Sequence, residues 1–442
     1  MKNILIAIRS IFKKGRHNVM KIVSLGIGLA VGLVLIAKVY FEQSYDDFYP
    51  DRDRVYQVWA KYQQNGGELK DYPQTSGGIA PTMQQQIPEI ETVTRYTSFG
   101  DWTFTMTDTK MKYSGRCIIA DSCFFDILPR PMLIGNAKEV LSTPMYVLVS
   151  SRIAKNIGGD VIGKNFTVDS SPGRTMTIGG VFEEVPENSH SRYDVIVSMA
   201  SAGRFMWEGS PTNMLGNDRY ISYVKLHKGV NPLALEEQVH TFVNSYFPPE
   251  EQQKTGFNIG FSFHELDGLH KELPQVKRMT WILSLLAFAL IFTAVMNYIL
   301  IVISSIVNRS KEVAVHKCYG ASENNIHGMM FGEALVHIVL SLILALLLIL
   351  AFRGTVEELL ATSLDSLLLS NGSLVLLGIC ILVFFVSGFM PGSLYARIPV
   401  ASAFRNYREN KRIWKKALLL VQFVATGFLV TMLVFVARQY TF

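Results

Sequence analysis

Residues 279–307 read MTWILSLLAFALIFTAVMNYILIVISSIV, a run of 29 positions without a charged side chain. A helix crossing the hydrocarbon core of a bilayer needs about 20 residues, so this stretch predicts a membrane span with room to tilt. Four more apolar runs pass the same length test: Ile22–Phe41, Ala334–Phe352 (within 329–352), Ser373–Tyr395 and Ala417–Ala437. Between the first two spans lies the mostly polar stretch 42–275, long enough to bury a core of its own. The expected fold is a polytopic α-helical membrane protein with about five transmembrane helices. A large mixed α/β domain is inserted between the first and second helices.

Charge orients the spans. Residues 41–275 carry 21 Lys and Arg against 29 Asp and Glu, whereas the remainder carries 21 against 7. The overall charge of +6 therefore averages two opposed parts. Basic residues gather in 1–21, 308–328 and 396–416, and the loop 353–372 has Arg353 against Glu357, Glu358 and Asp365. The positive-inside rule then puts the amphipathic segment 1–21, the 308–328 loop and the 396–416 linker in the cytoplasm, with 42–275 and 353–372 outside. A basic face against anionic lipid accounts for this charge, so membrane lipid is an expected partner and nucleic acid is not. The first span is too long for a secretory signal and lacks a small-residue cleavage site, so it reads as a retained anchor. Lys38, near its outer end, is expected to extend its ammonium to the interface.

Within 42–275, Arg54–Lys61 alternates as a half-buried strand, and Asn165–Asp169 and Thr175–Phe182 also read as strands, the last interrupted by Gly179-Gly180. Thr82–Gln86 and Pro232–Tyr246 have helical composition, with Leu233, Leu235, Val239, Phe242 and Val243 near one face. Cys117 and Cys123 are expected to be free buried thiols, although a disulfide is compatible with an oxidising compartment.

Most candidate chemistry fails on inspection. Gly158–Asn165 nearly matches a phosphate-binding loop, but Asn165 stands where a hydroxyl should hold Mg²⁺, and the segment lies outside. It reads as a turn into a strand, and no intact Walker A motif exists, so the chain is not expected to be an enzyme. The stretch from His264 to His270 fits no metal-ligand spacing and reads as a solvated loop. Glu183–His190 reads as a turn after a strand. Asn297, His337 and Gln422 are polar groups inside spans, and helix packing explains them better than a substrate path. No metal or cofactor site is expected.

The segment after the second span is more distinctive. Arg309–Tyr319 predicts a short amphipathic helix in which Val313 and Val315 cannot share one face. Val313 lies one turn from Lys317, and Glu312 one turn from His316. Gly320 supplies a C-terminal cap and Ser322 can cap the next helix. Such a helix at the cytoplasmic face reads equally as an ordinary basic juxtamembrane loop or as a handle on which another protein could push.

At this loop the sequence resembles the permease subunits of the MacB/FtsX class of ABC transporters. Their signature, Arg-x-Lys-Glu-Val-Gly-Ile-Arg-Lys-x-x-Gly-Ala, is matched by residues 309–321, with Ala314 for Gly, Val315 for Ile and His316 for Arg. Residues 24–30 with 42–48, residues 180–190 and residues 388–395 resemble the family's first span and exit, a turn of its periplasmic core domain, and the end of its fourth span. The resemblance implies a non-catalytic permease working with a separate cytoplasmic ATPase in a bacterial inner membrane, with 42–275 a periplasmic MacB-like core domain. Arg309, Lys311, Glu312, Val313, His316, Lys317, Gly320 and Ala321 would couple to that ATPase, which alone would hold ATP and Mg²⁺. Further implied partners are a periplasmic adaptor, an outer-membrane channel and a second copy or repeat making a dimer or pseudo-dimer. Motion would pass to the periplasmic domain by mechanotransmission, for efflux of peptide, drug or lipoprotein-type cargo. The alternative is an FtsX-like regulator that activates a periplasmic cell-wall hydrolase and transports nothing. Ala403-Phe404-Arg405, Arg412 and the fifth span repeat Ala7-Ile8-Arg9, Arg16 and the first, which suggests one unit plus the opening helix of another.

Overall fold

Alternation with a period of two organises Ser44–Leu273, one of two units into which the computed structural model divides. The structure describes residues 17–216, 218–369, 371–396 and 413–440; residues 1–16 of the 1–21 segment and 397–412 of the 396–416 linker lie outside them. Eleven strands build one mixed sheet. In chain order they are β1 (Val55–Gln64), β2 (Lys70–Tyr72), β3 (Ile90–Met106), β4 (Lys112–Ala120), β5 (Met132–Ile134) and β6 (Tyr146–Ser150). They continue as β7 (Asn165–Val168), β8 (Ser171–Phe182), β9 (Val195–Ser198), β10 (Ile221–Leu226) and β11 (Phe257–Glu265).

The pairings β3–β4, β4–β9, β9–β6, β6–β8, β8–β7 and β7–β3 close a ring. Only β4–β9 and β6–β8 are parallel. Closure gives every strand of the ring two partners. Strand alternation then sorts the side chains: Phe104, Cys117, Ile119, Val147, Val149, Phe166, Val195 and Val197 share one core. Their neighbours Ile118, Ala120, Leu148 and Ile196 point the other way into a second core. A bulge in β8 at Gly179-Gly180 carries the strand past β6 without ending it; a Cβ on Gly180 would lie 2.8 Å from Leu148 Cδ2.

Strands β11, β1 and β10 extend the sheet beyond β3, covered by helices Ile79–Gln86 and Glu236–Tyr246 over a third core. Leu235, Val239, Phe242 and Val243 are buried there, as their spacing predicts. Cys117 and Cys123 are both free. Burial pushes the Cys117 thiol well above its usual range.

The second unit is helical: α1 (Asn18–Gln43), α2 (Pro274–Ser304), α3 (Ile306–Cys318), α4 (Glu323–Ala351), α5 (Ser373–Ala396) and α6 (Ile413–Tyr440). Among the described residues α1, α2, α4 and the Ser373–Ser393 part of α5 are long and apolar enough to cross a membrane; α6 carries a shorter apolar stretch, Leu419–Phe428. Small residues let these helices approach closely: a Cβ on Gly28 of α1 would sit 2.3 Å from Ala294 Cβ of α2.

Three sequence expectations change here. The first helix begins four residues before Ile22, so Lys21 is inside it and fully buried, 3.7 Å from Glu333 of α4. Lys38 does not extend outwards; its Nζ pairs with Glu42 at 2.6 Å and donates to Thr362 Oγ1 at 2.7 Å. An internal carboxylate one turn away satisfies the ammonium without the interface. The loop 353–372 is largely helical, over Arg353–Leu360 and Leu364–Leu368.

Candidate functional site

The 308–328 segment is almost entirely helix. Helix α2 stops because the Ser305 hydroxyl donates to the Val302 carbonyl at 2.6 Å and its N–H is shared between Ile301 and Val302 carbonyls. Such side-chain competition with the backbone bends helices, and α3 resumes one residue later. Its C-terminus is closed by a Schellman arrangement. Ala321 N–H donates to the His316 carbonyl and Gly320 N–H to the Lys317 carbonyl, both at 3.0 Å, and Gly320 takes φ +88°. Ser322 then accepts from the Asn325 N–H at 3.3 Å and starts α4. Tyr319–Ser322 is thus the whole connection, and α4 begins six residues before the expected 329.

One face of α3 is packed. Val313 and Ala314 are each 1% exposed and share a core with Ile303 of α2, Ile326 and Met330 of α4 and Val383 of α5. Burying a valine contributes roughly 1.5–3 kcal/mol towards holding α3 against its neighbours. The opposite face is bare: Lys311, Val315, His316, Cys318 and Tyr319 are exposed, Tyr319 by 89%. Glu312, Lys317 and Ala321 are half-buried at the margin, and Gly320 is exposed. Arg309 lies near the start of α3, its side chain outside the described residues.

The expected coupling residues therefore separate into two roles. Lys311, His316 and Gly320 are presented outwards together with Glu312, Lys317 and Ala321 at the edge. Val313 instead faces the helix bundle and anchors α3 there. Val315 and Tyr319 were missed as surface residues. Their signal was available, since they stand four apart on the face opposite Val313.

The rejected motifs settle into structural positions. In Gly158–Asn165, Gly158, Gly159 and Gly163 all take positive φ, and Lys164 Nζ folds back to the Gly158 carbonyl at 3.3 Å. The segment is the turn into β7. His264 is not in a loop; it lies in β11 with its ring 4.1 Å from that of Trp59. His270, in the short helix Gly268–Lys271, stacks on Tyr45 at 3.8 Å. Strand pairing with β1 and the aromatic surfaces were invisible in a polar stretch. His190 closes the 183–190 turn by meeting the Asp46 carboxylate, which also accepts from Ser189 at 2.6 Å. Among the described residues no group of three His, Cys, Asp or Glu is placed to hold a metal ion.

Inside the helical unit Asn297 donates to Ser24 Oγ, and Tyr298 OH lies 3.1 Å from His337 Nδ1, each linking two helices. Gln422 of α6 lines a cavity of about 470 Å³ with His17, Asn297 and Ser305.

A model of the FtsX-like permease C-terminal family matches residues 284–400. The solved structures similar to this chain include a domain of a permease protein from Porphyromonas gingivalis, 32% identical, covering 49% of this chain and 91% of that one, with a TM-score of 0.45. The periplasmic region of MacB from Actinobacillus actinomycetemcomitans is 15% identical, covering 47% of this chain and 87% of its own, at a TM-score of 0.33. The extracellular domain of the noncanonic ABC-type transporter YknZ from Gram-positive bacteria is 11% identical, covering 46% and 98%, also at 0.33. No curated protein matches the chain.

Proposed function

Because the chain belongs to the MacB/FtsX-like permease family, we propose that it is the permease subunit of an ABC transporter driven by a separate ATPase. ATP and Mg²⁺ sit on that partner, and the α3–α4 turn is where it docks. The observation that carries this reading is the two-faced character of α3. Its exposed face offers Lys311, Val315, His316 and Tyr319, while Val313 and Ala314 fix the other face to α2, α4 and α5. A push on such a helix moves the bundle instead of bending the turn. The chain continues from α2 directly into Ser44–Leu273 at Leu273-Pro274, which supplies a covalent route for the stroke. This is mechanotransmission: hydrolysis on one side, motion of the large domain on the other.

In this reading the helices sit in a bacterial inner membrane, α3 is cytoplasmic and the large domain is periplasmic. The work done is expulsion of a peptide, drug or lipoprotein-type cargo, with an adaptor and outer-membrane channel as further partners and a dimer as the assembly. The test is co-purification of the ATPase with Lys311→Glu and Tyr319→Ala variants in detergent. Retained insertion and elution profile with at least tenfold less ATPase is the expected result. Wild-type recovery of the ATPase by both variants would refute the docking site.

A further inference from the structure

The guanidinium of Arg130, just before β5, is 5% exposed, and its Nε and Nη2 find no hydrogen-bond acceptor among the described residues. Its neighbours are rings: the guanidinium carbon lies 5.1 Å from the centroid of Phe182, 5.8 Å from Phe125 and 5.9 Å from Tyr193. Cation–π contact offsets part of the loss of hydration, but a buried cation calls for an anion. The Tyr49 hydroxyl is a hydrogen-bond partner of the guanidinium, but the nearby phenols supply no negative charge. Burial holds Tyr193 well above its ordinary value and raises Tyr49 too, so both stay neutral at physiological pH.

Arg130 forms part of the wall of a cavity of about 380 Å³, with Asp101, Arg116, Arg152, Arg192 and Asp194. The charges there are unevenly matched. Arg152 is neutralised: Nε donates to Glu184 at 3.2 Å and Nη2 to Asp194 at 2.5 Å. Asp194 is further engaged by the Arg116 backbone N–H at 2.9 Å and the Ser150 hydroxyl at 3.4 Å. Neither Arg116 nor Arg192 forms an ion pair among the described residues; Arg116 Nη1 reaches only the Arg192 carbonyl, at 3.5 Å. The wall thus carries four guanidinium groups against three carboxylates, Asp101, Glu184 and Asp194, an excess of one positive charge, and Asp101 stands opposite Arg116 in the β3–β4 register.

We propose that this cavity binds a small oxyanion, a carboxylate or phosphate group, held by Arg130 from within and by Arg116 and Arg192 at the mouth. Guanidinium forks match the geometry of both groups. A cavity of this size admits a small molecule or one anionic group. The site rests on the large domain alone and does not depend on the transport reading.

The test titrates the full-length chain in detergent with inorganic phosphate and, separately, acetate, at constant ionic strength set by chloride, following the thermal midpoint. One of the two anions is expected to raise the midpoint saturably, and which one assigns the class. Arg130→Met should keep its ligand-free midpoint and lose the shift. The Arg116→Gln, Arg192→Gln double variant changes only exposed side chains and should need at least tenfold more anion for the same shift. Neither anion exceeding chloride, or a double variant with wild-type affinity, would overturn the proposal.

Discussion

Asp51 accepts from Lys225 Nζ at 2.6 Å and Arg54 Nη2 at 2.8 Å, and these donors hold its carboxyl at about 2. The folded value lies below the ordinary 3.8, so the stabilisation is present above pH 4 and is lost as pH falls through 4 towards 2. The carboxylate is 36% exposed, which limits the effect to below about 1 kcal/mol. Asp51→Asn should lower the thermal midpoint slightly at pH 6, and the gap from wild type should close near pH 2; a gap independent of pH would refute the assignment. Gly320 belongs to the same scale. At φ +88° with open space around its missing Cβ, it is required by backbone conformation and not by crowding. Gly320→Ala should cost about 1 kcal/mol, seen as roughly fivefold faster amide exchange over residues 315–321. Gly320 and Ser322 were legible because a cap is written within a few residues of itself. His190 was not, because its partner Asp46 stands 144 positions away, and Lys38 was legible only in part: Glu42 is one turn on, whereas Thr362 stands 324 positions away.

Apolar runs announced four of the helices, since a span needs only length and hydropathy, and the amphipathic stripe of α3 announced its two faces. The place where α2 ends was not announced, because the apolar pattern runs on through Ser304-Ser305 and only the Ser305 hydroxyl bond breaks it. The ring of strands was still less legible. Short strands such as β7, four residues long, carry too little alternation to reveal two partners. Contact between α1 and α2 gives a testable consequence of close approach. A methyl at Gly28 would meet Ala294 Cβ at 2.3 Å, and one at Gly32 would meet Ile291 Cγ1 at 2.5 Å. Gly28→Ala should therefore lower the thermal midpoint in detergent through overpacking worth about 1–3 kcal/mol. Adding Ala294→Gly removes the opposing methyl and should restore most of the loss. If the double variant is as unstable as the single, contact between these two helices is not what the glycine protects.

For the whole molecule, the decisive property is the separation of charge along the chain. The inserted stretch is acidic, the rest is strongly basic, and the exposed face of α3 lies in the basic part. Helix α2 joins Ser44–Leu273 to α3 in the chain, so it must cross the bilayer once if that unit and the α3–α4 turn are to lie on opposite sides. Native Cys318 is exposed on α3, whereas Cys117 is buried in the ring core with its thiol raised. The chain thus carries its own reporter on one face. With Cys123 and Cys380 replaced by Ala, a membrane-impermeant maleimide should leave Cys318 unlabelled in spheroplasts and label it in inverted vesicles. Lys228→Cys, at an exposed turn after β10, should show the reverse pattern in a Cys318→Ala background. Both sites reacting from one side would leave an ATPase acting at α3 no membrane to work across, and the mechanism of force transmission would fall with it.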